Sequence, residues 1–218
     1  MGLYGQGMPC PNSIKNLTKE SHTTTIRSIL HGHPPYPRTK TQILTMIKDT
    51  RLYLIGFMAS GKTTIGKKLA QKLGYTFLDL DALIVEKTGK TISEIFAESG
   101  EATFRKIESE TLQATQTLAN TLIATGGGTP CHNDNMAWIK ENGTSLYLRL
   151  SIPRLVGRLR ADKANRPMLA HLEDEALSQF IENLLSQRQD TYLQADLTVD
   201  NEGNNVGVLV NEIFSLLR

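Results

Sequence analysis

The chain has 218 residues, 39% of them hydrophobic and 21% charged, enough for one domain with a substantial buried core. Its formal charge of +2 hides an asymmetry: residues 1–45 carry Lys15, Lys19, Arg27, Arg38 and Lys40 against Glu20 alone, which leaves 19 basic and 21 acidic residues in the body, a net of −2. A mildly acidic body gives no footprint for nucleic acid, no apolar run approaches the length of a membrane span, and Cys10 and Cys131 show no metal-ligand spacing and read as free thiols.

Residues 1–45 differ in character from the rest of the chain. They hold five of the eight prolines and three of the five histidines. The run His31-Gly32-His33-Pro34-Pro35-Tyr36-Pro37 excludes both helix and central strand. Ile26, Ile29, Leu30, Ile43 and Leu44 are too few to offset the entropy of ordering the stretch. A disordered or incidental extension is the first expectation, with Met46 as an alternative start. A basic, hydroxyl-rich, acid-poor transit peptide is the second, which would move the expected location from cytoplasm to a plastid or other organelle. His22, His31 and His33 read as solvated rather than as metal ligands.

From residue 46 onward short apolar runs alternate with amphipathic segments, the pattern of an α/β domain on a parallel sheet. Strands are expected at 51–55, 76–79, 121–125, 144–149 and 196–200. Helices are expected at 62–73, 93–99, 101–118, 133–141, 152–160, 173–195 and 205–217. In such a fold, ligands gather at the carboxyl ends of the strands.

The first strand runs directly into Gly56-Phe57-Met58-Ala59-Ser60-Gly61-Lys62-Thr63, which fits the phosphate-loop pattern G-x-x-x-x-G-K-[ST] and is followed by a helical segment. Glycines let successive backbone N–H groups face one anion, and the helix N-terminus adds partial positive charge. Lys62 is positioned to reach the β- and γ-phosphates, and the Thr63 hydroxyl to ligate Mg²⁺. ATP-type binding therefore falls to Gly56, Met58, Ala59, Ser60, Gly61, Lys62, Thr63 and Thr64.

Asp79 and Asp81 close the second strand, where alternation points both carboxylates one way. One suits the metal's water shell and the other suits accepting a hydroxyl proton; the competing reading is a helix cap. Arg105 can clamp a substrate carboxylate, or simply pair with Glu101 or Glu108 at helical spacing. Gly126-Gly127-Gly128 follows the third strand and permits close approach of backbone to a ligand. Arg154, Arg158, Arg160, Lys163 and Arg166 form a basic stretch able to close over a triphosphate, and Arg188 lies on a helix.

Taken together, Gly56–Thr63, Phe77-x-Asp79-x-Asp81, Phe104-Arg105-x-x-Glu108, Gly126–Gly128, Arg166-Pro167-Met168-Leu169 and Arg188-x-x-x-Tyr192 resemble, in order and spacing, the shikimate kinases. The resemblance spans residues 50–217. It implies a three-layer α/β/α, nucleoside-monophosphate-kinase-like P-loop fold with a five-stranded parallel sheet. It further implies Mg²⁺-dependent transfer of phosphate from ATP to the shikimate 3-hydroxyl, a step toward chorismate and the aromatic amino acids. By match, Asp81 binds that hydroxyl as base, with Lys62 and Arg166 completing the catalytic set. Asp79 supports Mg²⁺ through water alongside Thr63. Arg105 and Arg188 hold the shikimate carboxylate, Gly126–Gly128 line its pocket, Phe96 and Phe104 pack on its ring, and a lid at about 160–173 brings Arg166 to the phosphates. Arg158 or Arg160 flanks adenine, the spacing leaving both open. ATP and shikimate are the expected partners of a monomer. Ala59 stands where this family usually has glycine, and Met168 where it usually has leucine. A gluconate-type kinase of the same fold leaves the triple glycine and the arginine pair without a role. A silent nucleotide-binding regulator would be expected to lose Lys62, Asp81 or Arg166, and all are present.

Overall fold

A computed structural model describes residues 51–161, 174–203 and 205–217. Strand β1 (Arg51–Ile55) leads through the glycine loop into helix α1 (Lys62–Leu73); β2 (Thr76–Asp79) and α2 (Leu80–Thr88) follow. Helix α3 (Ile92–Ala114), β3 (Thr121–Ala124), α4 (Asn135–Asn142) and β4 (Thr144–Arg149) come next. The chain ends with α5 (Ile152–Ala161), α6 (Asp174–Tyr192), β5 (Leu197–Asp200) and α7 (Val206–Leu216).

The strands form one parallel sheet in the order β2-β3-β1-β4-β5. Side-chain alternation along each strand divides the core into two layers. Tyr53, Ile55, Ile123 and Tyr147 face α2–α6, whereas Leu52, Leu54, Leu122, Leu146 and Val199 face α1 and α7. With helices on both faces, β1 is buried almost throughout, which is why it reads as Leu-Tyr-Leu-Ile without polar alternation.

Central β1 has β3 on one side and β4 on the other, and the chain crosses over it between them. That crossover opens the crevice at the strands' carboxyl ends. The expected strands all appear. Helix α2 is the helix that the capping reading of the Asp79–Asp81 pair requires, and the segments 93–99 and 101–118 appear as α3 with a break at Gly100, where φ is 76°. A capping box between Thr91 and Glu94 starts α3. No helix among the described residues is long and apolar enough to cross a membrane. Residues 1–45 and most of the expected lid lie outside the described residues.

Candidate active site

Four strand ends converge on a cavity of about 510 Å³. Gly61, Lys62, Thr63 and Thr64 come to it from beyond β1, Asp79 and Asp81 from β2 and α2, Gly126 and Gly127 from beyond β3, and Asn201 from beyond β5. The phosphate loop supplies Met58 and Ala59 as well, and α5 supplies Arg158. Ser60 is fully buried beneath the loop.

Helix α1 begins at this cavity with no side-chain cap and no acid in its first turn. Its leading N–H groups are thus left for an anion, as the loop sequence predicts. Gly61 sits at φ 101°, a conformation that suits glycine. Ala59 sits at φ 60°, so the residue that departs from the family's usual glycine carries left-handed strain. Lys62 Nζ donates to the carbonyls of Gly56 at 2.8 Å and Phe57 at 2.9 Å, curling the loop around its own lysine.

Asp79 and Asp81 do reach one crevice, but not through strand alternation. The strand ends at Asp79, whose Oδ1 accepts from the N–H groups of Asp81 at 3.2 Å and Ala82 at 3.4 Å and so caps α2. Asp81 stands in the first turn of that helix. Besides capping α2, Asp79 faces the phosphate loop, since its second oxygen accepts from the Thr63 hydroxyl at 3.1 Å. Thr63 and Asp79 thus form a pair of hard oxygen donors beside the phosphate loop. This donor set fits Mg²⁺, which takes one or two protein oxygens and completes its shell with water and substrate phosphate. Burial, together with the like charges of Asp79 and Glu108, pushes the Asp81 carboxyl up to about 6, against the pull of Lys62 and Arg105.

The glycine turn is packed against the acceptor-side groups. A Cβ on Gly126 would lie 2.9 Å from an Asp81 carboxylate oxygen and 3.1 Å from Glu108 Oε1. One on Gly128 would lie 2.9 Å from both terminal nitrogens of Arg105, and one on Gly127 3.6 Å from Arg188 Nη1. A side chain at 126 or 128 would displace the ends of these acceptor-side groups, and Arg105 and Arg188 both lie against one turn.

Arg105 also makes the local pairs that its helical spacing allows, 3.0 Å to Glu101 and 2.8 Å to Glu108. Glu108 is buried and additionally accepts from the Thr129 hydroxyl at 2.6 Å. Phe96 stacks on buried Phe104 at 4.6 Å between ring centroids, and Phe104 carries the Arg105 guanidinium at 5.0 Å. Arg188 lies 6.0 Å from the Phe57 ring.

Of the two open arginines, Arg158 reaches the phosphate loop, donating to the Ala59 carbonyl at 3.1 Å, whereas Arg160 is exposed and does not line the cavity. Arg166 and Met168 lie outside the described residues. Cys131 is a free thiol.

Two neighbours of the site have no role legible in the sequence alone, while a third, Glu108, is legible as the helical-spacing partner of Arg105 that the structure makes it. Tyr192 is visible there only as a motif letter, one helical turn from an arginine. Tyr192 donates its buried hydroxyl to the Gly127 carbonyl at 2.5 Å. Asn201 carries one usable signal, its place immediately past a strand end.

A parallel five-stranded sheet with a phosphate loop beyond its first strand is the framework of the nucleoside-monophosphate-kinase-like P-loop kinases, and fold and site place this chain in that class. The family model for shikimate kinase matches residues 58–218. A shikimate kinase of Parabacteroides distasonis is 43% identical over 152 residues, covering 70% of this chain and 88% of that protein. One from Synechococcus elongatus is 42% identical over 162 residues, 74% and 83% of the two chains. The crystal structure of a Bacteroides thetaiotaomicron shikimate kinase superposes with a TM-score of 0.71 at 38% identity, over 76% of this chain and 93% of that one. A shikimate kinase from Acinetobacter baumannii, solved in complex with shikimate, also gives 0.71, at 34% identity over 82% and 96%. The chain belongs to the shikimate kinase family.

Proposed function

We propose that this chain transfers the γ-phosphate of ATP to the 3-hydroxyl of shikimate. The observation that carries this reading is the convergence of Asp81, Arg105 and Arg188 on the Gly126–Gly128 turn beside the phosphate loop. An acceptor bearing a carboxylate at one end and a hydroxyl at the other matches that layout: cations for the acid, a base for the alcohol, and bare backbone between. Arg105 and Arg188 hold the carboxylate by charge-assisted hydrogen bonds. The Phe96–Phe104 pair covers the ring.

In the transfer, the acceptor oxygen forms a bond to the γ-phosphorus as the bond from that phosphorus to the ADP oxygen breaks. The hydroxyl proton passes to Asp81. A carboxyl near 6 is ionised at neutral pH yet more basic than an ordinary aspartate, the compromise a general base needs. The loop N–H groups stabilise negative charge on the transferring group without reorganising, and Lys62, which in this structure bonds the Gly56 and Phe57 carbonyls, turns from them to add its charge. Thr63 and Asp79 are the residues that would hold Mg²⁺, Asp79 through water; bound there, it neutralises phosphate charge.

The deciding experiment is a coupled assay of ADP release offering shikimate, gluconate and nucleoside monophosphates side by side. Turnover dependent on shikimate alone is expected. Turnover with gluconate or a nucleotide, and none with shikimate, would overturn the acceptor assignment while leaving the ATP site in place.

A further inference from the structure

The phosphate loop is gripped by side chains at several of its carbonyls, and one of these side chains has no place in the transfer chemistry. Lys62 holds the carbonyls of Gly56 and Phe57, and Arg158 holds that of Ala59. The remaining grip comes from beyond β5. Asn201 is 4% exposed, and its Nδ2 donates to the buried Ser60 carbonyl at 2.7 Å. Its own backbone is anchored, since its N–H donates to the Arg149 carbonyl at the end of β4, at 2.8 Å. The side chain therefore forms a short strut from the sheet to the loop.

We propose that Asn201 is a positioning residue for the triphosphate, fixing the Ser60–Gly61 peptide so that the Gly61 N–H is presented to the anion. A trans peptide is planar, with C=O and N–H on opposite sides. Holding the Ser60 oxygen against Asn201 therefore turns the Gly61 N–H the other way. Gly61 itself lines the cavity. Glycine is the residue least able to hold a peptide plane by its own conformational preference, so a donor fixed to the sheet supplies what the loop sequence lacks. The fit is close: a Cβ on Gly61 would lie 3.0 Å from Asn201 Nδ2. The inference rests on reading the loop as the ATP site.

Because Asn201 also lines the cavity, a rival role is direct contact with the nucleoside. The two roles separate by ligand. A peptide pin affects every ligand that uses the phosphate cradle, whereas a nucleoside contact affects only ligands that carry one.

Calorimetric titration of the full chain with MgATP and with inorganic tripolyphosphate makes the distinction, on wild type and on Asn201→Leu, which keeps the branched shape and loses the donor. Loss of the pin is expected to weaken both ligands by about tenfold, the share of one net hydrogen bond. Steady-state KM for ATP should rise with them, while KM for the acceptor stays put. Weakened ATP with unchanged tripolyphosphate would reassign Asn201 to the nucleoside and overturn the proposal. So would a parallel rise in acceptor KM, the mark of general distortion, or no change in either ligand. If a thermal melt shows the leucine variant unfolded, Asn201→Ala carries the same comparison. Failure of wild type to bind ATP would sink the nucleotide reading and the inference together, and it is seen before any variant is made.

Discussion

The two halves of the site are built on opposite principles. The nucleotide half is centred on one contiguous loop, Gly56–Thr63, whose backbone N–H groups face the anion and whose carbonyls are braced by Arg158 from α5 and Asn201 from beyond β5. The acceptor half has no contiguous segment. Asp81 comes from α2, Arg105 from α3, the glycine turn from beyond β3 and Arg188 from α6. The physical costs differ accordingly. The loop carries backbone strain at Ala59, while the acceptor side carries crowded charge, with Asp79 and Glu108 close enough to raise the proton affinity of Asp81. Strain in a loop is local and small; buried like charges are large and depend on every partner. Substitutions on the acceptor side should therefore be the more severe.

The largest effect is expected at Asp81. Asp81→Asn should lower turnover by roughly 100-fold or more, the usual contribution of a positioned base, with ATP affinity nearly unchanged. Undiminished turnover would remove Asp81 from that role. In wild type, kcat/KM for the acceptor should fall as pH drops through about 6, because the base must be ionised; an inflection near the ordinary aspartate value of 3.8 would mean an unperturbed carboxyl. Stability should move the other way. The folded state raises this carboxyl from 3.8 to about 6, so it favours the neutral form. Asp81 then costs nothing below about pH 4, and the cost grows until pH passes about 6. Asp81→Asn should thus be the more stable protein at about pH 8, by on the order of 3 kcal/mol, and should show no such gain at about pH 4. Urea melts at the two pH values check it.

Arg105 comes next, and its ion pairs decide which variant is informative. Arg105→Ala would leave Glu108, 1% exposed, without its guanidinium, a loss of about 3–5 kcal/mol when a buried pair is broken. Arg105→Lys keeps the charge and loses the planar fork. It should raise acceptor KM by about tenfold and leave the ATP KM alone. An unchanged acceptor KM would return Arg105 to a purely structural pairing. A smaller effect is expected for Tyr192→Phe. Burial pushes that hydroxyl's pKa up, so it remains a protonated donor to Gly127. Removing it should cost about 1 kcal/mol of stability and shift acceptor KM more than ATP KM.

The same contrast explains what could be read in advance. The phosphate loop and the five strands follow from local pattern, since loop chemistry and strand burial are written in consecutive residues. The acceptor side is not local: nothing in the neighbourhood of Arg188 distinguishes it from a surface arginine, and only the family motif sets it apart. For Asp79 and Asp81 the shared crevice was legible and so was the cap, as the competing reading; strand alternation was the wrong route to the crevice, because β2 ends at Asp79 and Asp81 has already entered a helix. Asn201 escapes notice because a single asparagine after a strand carries no motif. Between Arg158 and Arg160, spacing along the chain could not decide. The turn of α5 onto the loop carbonyl is a tertiary fact.

The smallest expected effect tests the claim that the loop's cost is slight. Ala59 at φ 60° carries about 1–2 kcal/mol of left-handed strain. Ala59→Gly relieves it but gives the unfolded chain more freedom, which returns about 0.4–1 kcal/mol. The balance is a gain of about 0.5 kcal/mol, near 1–2 °C in Tm for a domain of this size. Because Lys62, Arg158 and Asn201 hold the neighbouring carbonyls whichever residue stands at 59, the ATP KM should not move. A Tm that falls on this substitution would mean that the alanine methyl makes packing contacts outweighing its strain. A lowered ATP KM would mean that the strain reaches the anion cradle, and that the grip of those side chains is weaker than their geometry implies.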